Sequence, residues 1–246
     1  MLLLLDKPSG ITSHDAITAV KKHLRQPARD ALSEDEKQWG KKPTKIKIWH
    51  AGTLDPLATG LILAATDSDT KLLGSLTGAD KSYRAMVDFS RASDTWDLDY
   101  RKEIRTLDPT TYEDIPSSSQ IEEVLNTLIG TPSLPLTPFS AKKVNGKKLY
   151  EYAREWNPLF LTVPMSIIGY NVISYQFPFL ELDLLVWSGT YIRSIAHRLG
   201  NQMGGDAILT QLRRTSIAEY SLDLFEKKTI HTGQRDDNEV KYIIVT

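Results

Sequence analysis

One stretch, residues 50–60 with the sequence HAGTLDPLATG, constrains this chain more than any other. It runs directly into an apolar segment, residues 61–65, that is typical of a buried strand. Pro56 fixes its own φ and pushes the preceding Asp55 toward extended geometry. A carboxylate on such a stiff loop is a candidate catalytic group. The same pattern is typical of an ordinary tight turn, so the local residues alone leave both interpretations open.

The composition excludes several kinds of site. Of the 246 residues, 41% are apolar and 25% are charged, which fits one globular domain or one domain with a small appendage. The chain has no cysteine, which excludes disulfides, thiolate zinc sites and a cysteine nucleophile. The four leucines at residues 2–5 are too few for a signal peptide or a membrane span. We therefore expect a soluble cytoplasmic protein.

Charge is unevenly distributed although the net charge is only −1. Residues 1–50 carry ten Lys/Arg against six Asp/Glu, whereas residues 51–100 carry four against eight. Binding to nucleic acid needs a basic face and not a basic total. A solvated surface with uneven charge explains the same counts, and composition alone favours that simpler interpretation.

Hydrophobic periodicity predicts a mixed fold of strands and helices. Residues 2–5 indicate a short buried strand, and a helix with an apolar stripe should begin near His14. Alternating apolar residues around Tyr83 predict a strand, and residues 119–128 predict an amphipathic helix. Further β-rich runs occupy residues 161–163, 167–175, 180–187 and 242–245.

Two polar segments interrupt this pattern. Residues 26–48 contain two prolines and few apolar residues, so no strong element is predicted there. Residues 130–138 contain three prolines, which argues against a regular element, and an Asn-Gly turn among lysines follows. Each segment fits either a charged surface loop or a contact to the phosphates of a polyanion. The lysines concerned are Lys37, Lys41, Lys42, Lys45 and Lys47 in the first segment and Lys142, Lys143, Lys147 and Lys148 in the second.

A strand–turn–helix corner is predicted at residues 188–200. Gly189 suits the turn, Thr190 is a candidate helix cap, and Gly200 is a candidate for the position just beyond the helix. Such a corner could bind a phosphate at the helix N-terminus.

Several of these stretches together resemble the TruB family of bacterial tRNA pseudouridine synthases, in family order over roughly residues 2–218. The family's nucleophile motif is close to GHTGTLDPLATG, and residues 52–60 match it position by position. Trp49 and Ala51 stand where the family has glycine and threonine. Further matches are KPSGITS near the start, Lys81-x-Tyr83, the thumb-like segment ending at Arg154, and GTYIR ending at Arg193. The chain departs from the family at residues 26–48 and in the loop after the Tyr83 strand.

The resemblance implies roles for individual residues. Asp55 would be the catalytic carboxylate, Arg193 its cationic partner, and Tyr83 would lie against the target base, although a core aromatic is the commoner role for such a tyrosine. His50 would help to hold the RNA loop with its base flipped out, as base-modifying enzymes require. The remaining candidates are Tyr191 near the base, Lys142, Lys143 and Lys147 on the RNA backbone, and Lys7 and Pro8 as structural supports of the active-site loop.

The resemblance also implies an α+β pseudouridine synthase fold: a bent, largely antiparallel sheet with flanking helices and RNA-gripping loops. We expect a single catalytic domain over residues 1–246, with an insertion at about 26–48, a thumb-like loop at about 130–154, and no separate C-terminal RNA-binding domain. It would act as a monomer, without metal or cofactor, on the T-stem-loop of tRNA and not on DNA or membranes.

The expected reaction converts the uridine at position 55, in tRNA numbering, to pseudouridine. Whether Asp55 attacks C1′, attacks C6 or promotes a glycal is open. The alternatives are a tRNA-binding or folding factor on the same scaffold and a pseudouridine synthase for a different RNA stem-loop.

Overall fold

The structure is a computed structural model that describes residues 1–33, 45–99, 103–108, 115–155 and 157–245. Lys37, Lys41 and Lys42, predicted as phosphate contacts, lie outside these residues. Within the described part of the chain, no helix is long and apolar enough to cross a membrane.

The elements confirm the predicted mixture of strands and helices. The α-helices are α1 Ser13–Asp30, α2 Leu73–Thr77, α3 Ser118–Leu128, α4 Leu149–Arg154 and α5 Ile192–Gln202. Among the described residues, 3₁₀ segments occur at Asp67–Leu72 and Leu222–Glu226. The strands are β1 Leu2–Lys7, β2 Ile48–Ala51, β3 Thr59–Thr66, β4 Lys81–Asp88, β5 Arg91–Ser93, β6 Ile104–Thr106, β7 Ser133–Leu136, β8 Lys143–Val144, β9 Lys147–Lys148, β10 Leu161–Pro164, β11 Ile167–Gln176, β12 Phe179–Val186, β13 Ile208–Ile217, β14 Tyr220–Ser221, β15 His231–Arg235 and β16 Asn238–Ile244.

The chain divides into two compact units. Unit 1 comprises Met1–Ala79 together with Arg213–Thr246, and unit 2 comprises Asp80–Leu212. Unit 1 is therefore built from both ends of the chain, whereas unit 2 is one uninterrupted segment.

The centre of unit 1 is β3, which pairs with β1 along one edge. Its other edge is divided between two partners, since β13 pairs in parallel at Thr59 and Gly60 and β2 pairs antiparallel farther along. Beyond β1 the order continues through β16 to β15. Residues 61–65 are buried on both faces of the sheet, which explains the continuous apolar run in the sequence. One face packs against residues that include Leu73, Leu76 and Phe225.

The sheet of unit 2 follows the order β11, β12, β4, β13, with antiparallel pairing of β12 to both β11 and β4. Tyr83, Ala85 and Val87 on β4 alternate with more exposed neighbours, which confirms the predicted period of two. Helix α3 begins with a capping box between Ser117 and Gln120. Most of the strand pairings in the described part of the chain are antiparallel, as predicted, and β13 pairs in parallel with β3.

Three local predictions were wrong. Residues 133–136 form β7, which pairs with β10, so the prolines at residues 130–138 do not prevent a short strand. Thr190 does not cap α5: Tyr191 is the N-cap residue, and the Thr190 hydroxyl donates to the Ser166 carbonyl oxygen at 3.1 Å. Gly200 lies inside α5 and not beyond its end. A glycine is required there because a Cβ would come within 2.3 Å of the Ala207 backbone nitrogen.

The first polar segment is also shorter than predicted. Helix α1 continues through Pro27 to Asp30, and β2 begins at Ile48.

Candidate active site

The loop that carries Asp55 lies in unit 1 between β2 and β3. Gly52 adopts a φ of 80°, and the amide of Ala58 donates to the Asp55 carbonyl oxygen at 3.1 Å, which closes a turn with Pro56 at its second position. The Ser13 hydroxyl contacts both the amide and the carbonyl oxygen of Leu54, at 2.8 Å and 3.1 Å. Helix α1 thereby fixes the residue that precedes Asp55.

The KPSG segment at the start of the chain supports the other side of this loop. The Gly10 amide and the Ser9 hydroxyl, both at 2.9 Å, donate to the carbonyl oxygens of Pro56 and Leu57 respectively. With the turn and the Ser13 contacts, these bonds fix the backbone on either side of Asp55. The Asp55 side chain is half-buried, so it is held on a rigid loop that still reaches the surface.

Lys7 is fully buried beneath the same loop. Its ammonium group donates to the carbonyl oxygens of Ile11, Pro8 and Pro56 at 2.7, 2.8 and 3.2 Å. Burial lowers the pKa of Lys7 from 10.5 to about 8, and the nearby Asp55 carboxylate acts in the opposite direction. These bonds support the structural role predicted for Lys7 and exclude the alternative of a solvated side chain.

Arg214 is a second buried cation in unit 1, and sequence reasoning missed it. Its side chain is only 1% exposed; Nε donates to the Leu61 carbonyl oxygen at 2.7 Å and Nη2 to that of Gly52 at 3.1 Å. It therefore connects both ends of the Asp55 loop. The neighbouring Arg213 pairs with Asp6 through two bonds, at 2.8 and 3.0 Å. The signal in the sequence is a pair of adjacent arginines in a strand that begins and ends with isoleucine.

His50 lies at the end of β2 and is half-buried. Burial lowers the pKa of its imidazole, and the positive charge of Arg214 acts in the same direction. His50 is therefore neutral at physiological pH and available as a hydrogen-bonding group.

Arg193 lies in the first turn of α5 in unit 2 and is 5% exposed. Its Nη1 donates to the Thr95 carbonyl oxygen at 3.0 Å, and its Nε lies 3.8 Å from the Asp97 carboxylate. Asp97 accepts a further bond of 2.6 Å from the Thr95 hydroxyl. Arg193 thus holds the Thr95-x-Asp97 loop, a contact that sequence reasoning did not predict. Its pairing with Asp55, a residue of unit 1, stays a prediction.

The two tyrosines predicted near the base also belong to unit 2. Tyr83 is buried on β4 opposite Leu184, and Tyr191 is half-buried at the N-terminus of α5 beside Met165. The Thr95–Asp97 loop receives additional support from Trp96, whose ring stacks on His197 with the centroids 3.9 Å apart. Unit 2 therefore contains Tyr83, Tyr191 and Arg193, and unit 1 contains His50 and Asp55.

In the thumb-like loop, β8 and β9 form a short hairpin whose two-residue turn is Asn145 and Gly146. Both residues have positive φ, 51° and 81°, as the Asn-Gly sequence predicts. Lys142 and Lys143 are exposed. Lys147 instead forms an ion pair with Glu155 and lies 4.7 Å from the centre of the Tyr152 ring. Lys142 and Lys143 are therefore better placed than Lys147 to contact a polyanion.

Comparisons with known proteins identify relatives of this chain. Residues 40–192 match the model of the TruB family pseudouridylate synthase N-terminal domain. A protein of Caldicellulosiruptor saccharolyticus named tRNA pseudouridine synthase B is 34% identical over 93% of this chain and 73% of its own length. A Chlamydia abortus protein of the same name is 36% identical over 90% of this chain and 84% of its own length.

The fold also resembles a solved structure. A chain in the crystal structure of a Cbf5-Nop10-Gar1 complex superposes with a TM-score of 0.61 at 22% identity, over 91% of this chain. This chain spans about half of that protein's length, 50%. The likeness supports the predicted α+β fold.

Proposed function

Because this chain belongs to the TruB family of pseudouridylate synthases, we propose that it converts a uridine in the T-loop of tRNA, at position 55 in tRNA numbering, to pseudouridine. The relatives' names support tRNA as the substrate. In this proposal one copy of the chain acts in the cytoplasm.

The observation that carries the proposal is the rigid, half-buried position of Asp55 on a loop that two buried cations hold. Lys7 and Arg214 both bond to the loop that carries it. A catalytic carboxylate needs a fixed direction, and a loop held from both sides supplies it.

The reaction needs little more than this. Uridine and pseudouridine are isomers: the N1–C1′ bond breaks, a C5–C1′ bond forms, the C5 proton leaves and N1 gains a proton. No electrons are exchanged with a redox partner. Asp55 is the covalent or electrostatic catalyst of the bond exchange, and the base must leave its stack to reach it.

The remaining candidate residues complete the proposal. Arg193 is the fixed cation for Asp55, since a guanidinium can hold a carboxylate through two bonds. Tyr83 lies against the extruded uracil, with Tyr191 as a supporting contact. His50, neutral at physiological pH, holds the RNA loop in its flipped-out form, and Lys142, Lys143 and Lys147 bind the RNA backbone.

The test is incubation with unmodified tRNA followed by chemical mapping of pseudouridine. The parent protein should modify one uridine of the T-loop. Asp55→Asn keeps the shape of the side chain and removes its charge, so it should bind tRNA and give no product. Product at another position would assign a different stem-loop. Binding without product in the parent would favour a tRNA-binding or folding factor.

A further inference from the structure

The segment that leads into β2 presents an alternating pattern of exposed side chains. Lys45, Lys47 and Trp49 are exposed, whereas Ile46 and Ile48 between them are half-buried. Trp49 is 68% exposed, the most exposed tryptophan among the residues that the structure describes. Side chains at alternate positions of an extended segment point to the same face and lie about 7 Å apart. Two ammonium groups and an indole therefore form one row.

Backbone contacts hold this row in place. Trp49 pairs with Ala65 in the β2–β3 register. Two residues earlier, the Lys47 amide donates to the Asp67 carboxylate at 3.2 Å, and the Lys47 carbonyl oxygen accepts from the Asp67 amide at 3.0 Å. β2 pairs only with β3 among the described strands, so its outer edge is open. Trp49 therefore lies on a sheet edge, Lys47 is bonded just before it, and Lys45 precedes both.

Its position along the chain connects the row to the candidate active site. Trp49 precedes Asp55 by six residues, a separation of at most about 22 Å even for a fully extended chain. The turn at Gly52, which Arg214 holds, shortens that separation. An RNA strand that places one nucleotide at Asp55 would therefore bring its neighbours within reach of Trp49.

We propose that Lys45, Lys47 and Trp49 form an RNA-binding row, in which the indole stacks on a nucleobase near the target uridine and the two lysines contact phosphates. This inference deepens the proposed function and rests on it. A single exposed aromatic side chain is ordinary on a protein surface. An aromatic side chain in line with two cations is the pattern by which proteins hold unpaired nucleotides, with stacking on the base and charge along the backbone.

RNA fits this row better than a membrane surface does. The half-buried Ile46 and Ile48 turn away from the exposed face, so the row offers the single indole as apolar area. Stable attachment to a membrane requires a larger buried apolar face or a second anchor.

Affinity for fluorescently labelled, unmodified tRNA tests the row. The measurement uses the Asp55→Asn protein, so that bound RNA is not converted, and adds Trp49→Ala, Trp49→Phe or, as a matched control, Phe179→Ala. Phe179 is an exposed aromatic residue of β12 in unit 2. We expect Trp49→Ala to weaken binding roughly 5- to 150-fold, the range for loss of one base–aromatic stack. Trp49→Phe should recover most of the affinity, and Phe179→Ala should match its Asp55→Asn parent.

The contribution of the two lysines is measured by the salt dependence of tRNA affinity. Lys45→Gln with Lys47→Gln should flatten the dependence of log affinity on log salt by roughly one to two units, while Trp49→Ala should leave that slope unchanged. In an otherwise wild-type protein, Trp49→Ala should alter KM for tRNA and leave kcat at saturating substrate unchanged.

Two results would overturn the row as an RNA site. One is a folded Asp55→Asn protein with Trp49→Ala that binds tRNA as tightly as Asp55→Asn alone, provided that the wild-type protein makes pseudouridine. The other is retention on vesicles of phosphatidylglycerol and phosphatidylcholine that Trp49→Ala abolishes while RNA affinity stays constant. A parent protein that binds tRNA in a Trp49-dependent way and yields no pseudouridine would refute the proposed function and leave the row intact.

Discussion

Arg214 donates a hydrogen bond to the Gly52 carbonyl oxygen at 3.1 Å, although the two residues are separated by 162 positions in the sequence. A second bond from the same guanidinium reaches Leu61, on the far side of Asp55. β13 therefore helps to fix the shape of the Asp55 loop, although the two segments are far apart in the sequence. Correct pairing of β13 with β3 is a condition for placing Asp55.

Gly60→Ala tests this dependence. A Cβ at Gly60 would lie 2.3 Å from the Arg214 carbonyl oxygen, and Gly60 has a φ of 100°. We expect a loss of about 2–4 kcal/mol in the free energy of unfolding, from backbone strain and forced separation of the two strands. Urea unfolding measures it. Gly74→Ala is the control, because no atom lies within 4 Å of its added Cβ. Equal stability of the two variants would show that β13 does not need to approach this closely.

The buried ammonium of Lys7 predicts a pH dependence of stability. Burial gives Lys7 a pKa of about 8 in the folded protein, below the ordinary 10.5. Between these values the unfolded chain binds more protons, so the contribution of Lys7 to the unfolding free energy rises with pH, by at most about 1.4 kcal/mol per unit. As pH falls through 8 the contribution is lost.

Lys7→Met removes the titrating group and keeps a long side chain. The difference in unfolding free energy, parent minus variant, should grow from pH 8 to pH 10 and stay level from pH 6 to pH 7.5. Parallel curves over the whole range would mean that the charge of Lys7 is not penalised by burial.

Arg193→Lys separates charge from geometry. Lysine keeps the positive charge and loses the planar fork that reaches Thr95 and Asp97. We expect kcat to fall on the order of 100-fold, as for loss of one oriented electrostatic contact, with a smaller change in tRNA affinity. Asp97→Asn is the companion variant. If it lowers kcat as much as Arg193→Lys does, Arg193 acts by holding the loop and not by pairing with Asp55.

The thumb-like loop should contribute to the salt dependence of tRNA binding. Lys142→Gln with Lys143→Gln removes two exposed charges and should flatten the slope of log affinity against log salt by roughly one to two units. Lys227→Gln with Lys228→Gln removes two exposed lysines of unit 1 and serves as the control. Identical slopes for the two double variants would make the thumb lysines part of a general solvated surface.

Hydrophobic periodicity and turn-forming residues predicted much of this fold from the sequence. The alternation at Tyr83 correctly predicted a strand, and Asn145-Gly146 correctly predicted a turn, because each feature depends on neighbouring residues. The predictions for Thr190 and Gly200 were wrong because each residue contacts a group far away in the sequence. The Ser166 carbonyl oxygen accepts the Thr190 hydroxyl, and the backbone at Ala207 packs too closely on Gly200 for any Cβ.

In the candidate site, too, local features were predicted and contacts between distant residues were not. Asp55 was identified from the sequence of its own loop. The burial of Lys7 and Arg214 was invisible, since lysine and arginine are usually exposed and only tertiary structure provides carbonyl oxygens to satisfy them. The contact of Arg193 with Asp97 likewise joins residues far apart in sequence.

The discontinuity of unit 1 has a consequence for how the protein folds during synthesis. Unit 2 is one uninterrupted stretch, so all of its contacts become possible once Leu212 has left the ribosome. β1 must wait for β16, its partner through Leu3 and Ile244, and β3 must wait for β13. We expect the middle of the chain to become protease-resistant on the ribosome before either end, with the Asp55 loop among the last segments to become ordered.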